Sequence, residues 1–324
     1  MKPTTIFVLF TDFWDGFDPH HNIFTEALRK NYTVEVLDEQ DSRKPQLLIY
    51  SAFGSRHIAY DCIKLYYTGE NNVPDFNQCD YAISSHFIEL GDRHMRLPQY
   101  TLYKEFELLN MASEQAVHNA FERDFCSVVV SNSTYAAPER IEIIDHIEQY
   151  KPLAYGGKFR NNVGGRVPDK MAFIARYKFN IALENSLVDG YTTEKLIEPM
   201  VAQTIPIYWG NRMVDREFNA QSYINISDYD NYDRAVKAIE RLDNDREAYM
   251  QMLCAPKILA DNNINWYAQL QSFLSHIIAN GQRYIYPYGI IGHMQYMQQR
   301  KELLYGNTFL RKCASAWIKW RKKK

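Results

Sequence analysis

The chain has 324 residues, of which 46% are apolar and 23% charged, with a formal net charge of −2. This is globular composition, long enough for two hydrophobic cores, and its near-neutral balance excludes a general electrostatic binder of nucleic acid. Five scattered cysteines without CxxC spacing exclude a disulfide framework or zinc ribbon and read as reduced, cytoplasmic thiols, and nothing reads as a signal peptide or membrane span.

TTIFVLF opens the chain as a strand, followed by the loop TDFWDGFDPHHN and a helix from about Ile23 to Lys30. YTVEVLD, QLLIYSAF, IKLYYTGEN and DYAISSHF are the next strands, and apolar strands alternating with helical stretches indicate an α/β domain with a mainly parallel sheet. The pattern restarts near residue 126 with the strand FCSVVVSN and the amphipathic helix PERIEIIDHIEQY, which has Pro138 near its start. A Gly-bearing turn at YGGKFR leads to the strand YKFNIALEN, a helix after Tyr191, and TIPIYWGN. SYINISDY and DRAVKAIERLDND repeat the strand–helix theme. Two such halves predict two Rossmann-like domains facing a central cleft, with ligands at the carboxyl ends of strands. The expected divisions are 1–125, 126–281 and a helical, basic tail at 282–324. Residues 310–324 carry seven Lys/Arg and no acid, and a helix there puts Leu310, Cys313, Trp317 and Trp320 on one face. That pattern predicts an interfacial helix lying on the anionic inner face of the cytoplasmic membrane.

The segment FNIALENSLVDGYTTEKLIEPM concentrates the chemistry. A buried strand ends at Asn185, Gly190 permits a close turn, and Thr192 or Thr193 can cap the next helix with Glu194 and Lys195 in its first turn. Free N–H groups and an ammonium at a helix start favour a diphosphate, and the neighbouring acid suits a neutral diol such as ribose. The plainer alternative is an ordinary helix start with a solvated lysine. Pro199, inside that helix, is expected to kink or shorten it.

The ordered elements F-N-x-x-x-E-N, G-Y-x-T-E-K and P-I-Y-W-G run contiguously over residues 179–210. This stretch closely resembles the donor-binding signature of the bacterial and animal α1,3/α1,4-fucosyltransferase family. YYTGEN at 66–71 with the block that follows it, and SNSTYAAPERIEIIDHI at 131–147, resemble two further segments, so the likeness spans roughly residues 60–235. The resemblance implies a GT-B fold, GDP-β-L-fucose as donor, and metal-independent transfer with inversion. It gives Glu70 the general-base role, Arg140 and Lys195 the diphosphate, Glu194 the ribose, and Asn185 and Tyr191 the rest of the donor pocket. Relatives often carry a second aromatic and glycines where this chain has Val188 and Asp189. The expected product is a fucosylated GlcNAc in an N-acetyllactosamine-type glycan, joined at O3 and of Lewis x type. The alternatives are α1,4 or mixed linkage on type 1 chains, another nucleotide sugar, or a glycan-binding protein without turnover.

Other signals are weaker. Trp14 and Phe17 lie in a loop at a strand's carboxyl end and are candidate acceptor contacts, with packing against the domain core as the alternative. His20-His21 near Asp18, and Asp228 with Asp230, have poor metal-ligand geometry, so no metal or other cofactor is expected. Asp92, Arg93 and Arg96 read as a structural ion-pair cluster rather than a cleft lining. Asn132-Ser133-Thr134 matches a glycosylation sequon that has no meaning in a cytoplasmic chain.

Overall fold

The computed structural model describes residues 3–112, 119–130, 136–259 and 264–285, together with residues 302, 312, 313, 316, 317 and 320. The chain opens with β1 (Thr5–Thr11) and α1 (Ile23–Arg29), whose N-cap Asn22 accepts from the amides of Phe24 and Thr25, each at 3.0 Å. β2 (Thr33–Leu37), β3 (Leu47–Tyr50), β4 (Ile63–Tyr67), β5 (Tyr81–Ser84) and β6 (His94–Arg96) follow. They form one all-parallel sheet in the order β2-β1-β3-β4-β5-β6.

The chain continues through α2 (Glu105–Ala112), β7 (Asp124–Val128), α3 (Glu139–Tyr150), β8 (Ala154–Tyr155) and α4 (Lys170–Ile174). Next come β9 (Tyr177–Leu183), α5 (Glu194–Val201), β10 (Ile205–Trp209) and β11 (Ile224–Asn225), then α6 (Tyr232–Asn244) and α7 (Arg246–Cys254). The second sheet is also all parallel, in the order β11-β10-β9-β7-β8. Every residue of β9 is buried, as expected for a parallel strand covered on both faces. Its two polar interruptions are satisfied internally: Asn180 donates to Ser127 Oγ at 2.9 Å, and Lys178 pairs with Asp243.

The α/β class and the doubly wound, parallel sheets stand as expected. The division of the chain does not. One unit comprises residues up to Ser84, Ile88–Leu97 and the chain from Asn265 onward; the other comprises Ser85–Phe87 and Pro98–Ile264. The boundary therefore falls near residue 97 instead of 125, because α2 packs with the second unit: Leu109 is buried with Leu196, Ile197 and Met200 of α5. The second unit also ends before 281. α8 (Trp266–Asn280) rejoins the first unit, burying Leu270, Leu274 and Ile277, while Asn31 donates to Ser275 Oγ at 3.0 Å. The segment after it is tied to the start of β5: Gln282 N donates to Tyr81 Oη at 2.8 Å, and the amides of Tyr284 and Ile285 donate to Asp80 Oδ1 at 2.6 and 3.0 Å.

Of the tail, Leu310 lies outside the described residues. Cys313, Trp317 and Trp320 are helical and exposed. No helix among the described residues is long and apolar enough to cross a membrane.

Candidate active site

Both sheets share one topology, in which the second strand lies outside the first and the third starts the row on its other side. The order reverses between β1 and β3 in one unit and between β7 and β9 in the other, and such switch points open a crevice at the strands' carboxyl ends. The motif-bearing residues cluster at the second of these. Just past β9, Glu184 is completely buried, its amide donating to Trp209 O at 2.8 Å. Its Oε1 accepts from the amide and hydroxyl of Thr193 at 2.7 and 2.9 Å, and Lys195 Nζ donates to Oε2 at 3.1 Å. Thr193 is the N-cap of α5, so this one carboxylate holds both the helix start and its lysine. Lys195 Nζ also approaches Glu194 Oε1 at 3.5 Å. Burial works against its charge, but Glu184 and Glu194 outweigh it and hold the ammonium's pKa above the usual lysine value. Glu194 is likewise opposed by burial, yet Lys195, Lys170, Thr193 and the Tyr103 hydroxyl keep its carboxyl below the usual range.

Asn185 is the second hub. Its carbonyl accepts from Ala137 N at 2.8 Å and its Oδ1 from Arg140 Nη1 at 3.0 Å, joining the end of β9 to the first turn of α3. Only 4% of Arg140 is exposed; burial lowers its pKa against the pull of Glu184 and Glu194. Arg140, Asn185, Glu194 and Lys195 thus come together with Glu184, the acid of the F-N-x-x-x-E-N element, whose partners the sequence does not reveal.

The loop between β9 and α5 is fixed rather than adaptable. Gly190 has φ +91°, and a Cβ there would lie 2.3 Å from Ser85 O. Its amide donates to Asn211 Oδ1 at 2.8 Å. Asp189 is gripped by Arg212 through two bonds of 2.9 and 2.8 Å, and Tyr191 is buried.

Glu70, Trp14 and Phe17 belong to the other unit. Glu70 is exposed in the turn after β4, with its amide on Thr68 Oγ1 at 3.1 Å. At that unit's switch point Trp14 is 42% and Phe53 50% exposed, with ring centroids 6.1 Å apart. Phe17 instead stacks on Phe13 at 3.8 Å and belongs to the packing beneath the loop. Asp12 anchors this loop at φ +58°, its buried carboxylate accepting from the amides of Arg56 and His57 at 3.0 Å and meeting His57 Nδ1 at 2.6 Å. Neither Phe53 nor Asp12 was singled out from sequence, since both contacts link segments some forty residues apart.

The weaker signals resolve into local structure. Asp18 accepts from His20 N at 2.8 Å and pairs with His21 Nδ1 at 2.9 Å ahead of α1. Asp228 accepts from Asn225, and Asp230 pairs with Arg234. Asp92, Arg93 and Arg96 do not form one ion-pair cluster. Asp92 meets His276 at 3.0 Å, Arg93 lies over Tyr284 at 4.2 Å and donates to Asp80 O, and Arg96 faces Trp266 at 5.9 Å.

Two family models match, one after the other: the alpha-(1,3)-fucosyltransferase FucT N-terminal domain over residues 8–103, and the glycosyltransferase family 10 C-terminal domain over 120–254. The chain belongs to glycosyltransferase family 10. Among relatives of this family, the alpha-(1,3)-fucosyltransferase FucT of Helicobacter pylori is 32% identical over 261 residues, or 70% of this chain and 54% of that one. The chain thus spans about half the length of that relative. Two crystal structures of an alpha1,3-fucosyltransferase superpose closely. One has a TM-score of 0.76 and 26% identity over 89% of this chain and 94% of that one; the other, with GDP-fucose, has 0.74 and 25% over 88% and 94%. The fold is therefore the GT-B type of family 10.

Proposed function

We propose that the chain transfers L-fucose from GDP-β-L-fucose to the 3-hydroxyl of GlcNAc in N-acetyllactosamine-type glycans, with inversion at the anomeric carbon. The observation that carries this reading is a pair of cations, buried Arg140 held by Asn185 and half-buried Lys195 held by Glu184, at the switch point of a family 10 fold. The GDP-fucose complex of the structural neighbour and the 32% identity to an alpha-(1,3)-fucosyltransferase support it.

Breaking the bond between fucose and GDP leaves negative charge on the diphosphate. Arg140 meets that charge with its planar fork and Lys195 with a point charge, both fixed before the reaction begins, so neither must reorganise as charge develops. Glu194, beside Lys195, accepts from the ribose diol, and Asn185 and Tyr191 complete the donor pocket. Glu70 takes the proton of the attacking acceptor hydroxyl. The acceptor sugar packs on Trp14 and Phe53 at the first unit's switch point, with Phe17 supporting the loop from below. The two cations supply the charge that a divalent ion supplies in metal-dependent transferases, so turnover should survive chelation.

Glu70→Gln separates this reading from a glycan-binding protein: transfer should fall by about 10²–10⁴-fold, as for loss of a general base, while GDP affinity measured by calorimetry is retained. Arg140→Ala and Lys195→Ala should each weaken GDP binding. A preference for UDP over GDP would point to another nucleotide sugar, and product linkage analysis would expose α1,4 or mixed transfer. The tail, with Trp317 and Trp320 both more than half exposed, is proposed to rest on the inner membrane surface. Deletion of 310–324 should then move the protein to the soluble fraction.

A further inference from the structure

The first unit contains a second concavity, separate from the switch point. Edge strand β6 and helix α8 border an open groove of about 610 Å³, lined by Asp92, Arg96, Trp266, Gln269, Phe273 and His276 among others. On α8 the lining residues recur at helical spacing, so one stripe of the helix faces the groove while Leu270, Leu274 and Ile277 are buried in the unit. The groove's lining includes two aromatic rings, Trp266 and Phe273, together with a guanidinium, an amide, a hydroxyl and a carboxylate–imidazole pair.

This lining matches one class of ligand. A sugar ring has an apolar C–H face for an indole and hydroxyl edges for Arg96, Gln269 and the Asp92–His276 pair. An anionic ligand would meet Asp92. A peptide adding to the sheet edge would find only the three residues of β6, too few to template a strand.

Position selects which sugar. Arg96, the last residue of β6, pairs with Ser84 of β5, and Ile83 pairs with Tyr67 of β4, so Arg96 lies at the same edge of the sheet as the turn carrying Glu70. β6 is two strands from β4, a lateral distance of ~10 Å at the usual strand spacing of ~4.8 Å. A group so far from Glu70 does not contact the reacting hydroxyl. We infer that the β6–α8 groove binds the acceptor glycan beyond its fucosylated unit, making the chain selective for extended oligosaccharides. This rests on the proposed transfer reaction.

The test compares a disaccharide acceptor with an oligomer of three of the same repeats, using the full chain and GDP-fucose. Trp266→Ala should raise KM for the oligomer about tenfold, equivalent to ~1.4 kcal/mol, and leave KM for the disaccharide and both kcat values unchanged. Gln269→Ala, at an exposed position that should not disturb folding, should produce a smaller change of the same kind. Equal effects on both acceptors, or none on either, would overturn the inference. Calorimetry of the oligomer without donor separates it from the transfer reading. If the unsubstituted chain transfers to neither acceptor, that reading fails, and the groove still stands only if oligomer binding is weakened by Trp266→Ala.

Discussion

Glu184 shows how one residue organises a charged site. It has no exposure, yet its two oxygens accept from the Thr193 amide, the Thr193 hydroxyl and Lys195 Nζ, so the carboxylate is fully engaged. Glu194 and Lys195, adjacent in sequence, are therefore not a self-contained ion pair, because the lysine is shared between two acids. Replacing Glu184 with Gln keeps the shape and removes the charge that holds Lys195. The expected cost is roughly 1–3 kcal/mol of stability, with GDP binding weakened as Lys195 loses its fixed position. Thermal melting and GDP calorimetry on Glu184→Gln check this, and wild-type values in both would refute the role. The motif containing Glu184 was legible at once, but its partner Thr193 is nine residues on, and only the turn between β9 and α5 closes that gap.

At the level of elements, the turn is set by backbone geometry. Gly190 occupies a left-handed conformation with Ser85 O where a Cβ would stand, and Thr193 ends the turn by capping α5. Gly190→Ala should destabilise the chain by at least about 2 kcal/mol, read as a lower urea midpoint with an unchanged slope. An unaltered midpoint would mean the turn relaxes freely. Pro199 was expected to kink or shorten the helix, and α5 indeed ends two residues later at Val201. Most strands and the helices α1, α3 and α6 were readable because their apolar periodicity is local, whereas β6 and β8, three and two residues long, are too short to show any. α8 was not anticipated, although Leu270, Leu274 and Ile277 have helical spacing, because the surface that buries them lies some 240 residues earlier in the chain.

At the scale of the whole molecule, stability should carry a signature of one buried amine. Lys257 is 4% exposed, donates to Leu253 O at 2.7 Å, and burial pushes its pKa down to about 8 from 10.5. Between those values the unfolded chain holds a proton that the folded chain has released, so stability rises with pH across the window. Below pH 8 both states are protonated and the penalty for the buried charge is complete, on the order of 3 kcal/mol. Lys257→Met should therefore be more stable at pH 7, with the difference shrinking as pH approaches 10.5. Denaturant midpoints of both proteins from pH 7 to 10.5 test this, and parallel curves would show that the amine remains solvated.

The sequence alone was enough for the α/β class, the family and the two cations proposed to hold the donor, because these depend on short-range periodicity and on a contiguous signature. Packing decided the rest: α2 and α8 each joined the unit whose apolar surface they cover, so the chain divides at residue 97 and returns at 265. Glu184, Phe53 and the lining of the β6–α8 groove likewise acquired their neighbours from the fold, since burial and hydrogen bonding act on distance in space, which linear order does not report.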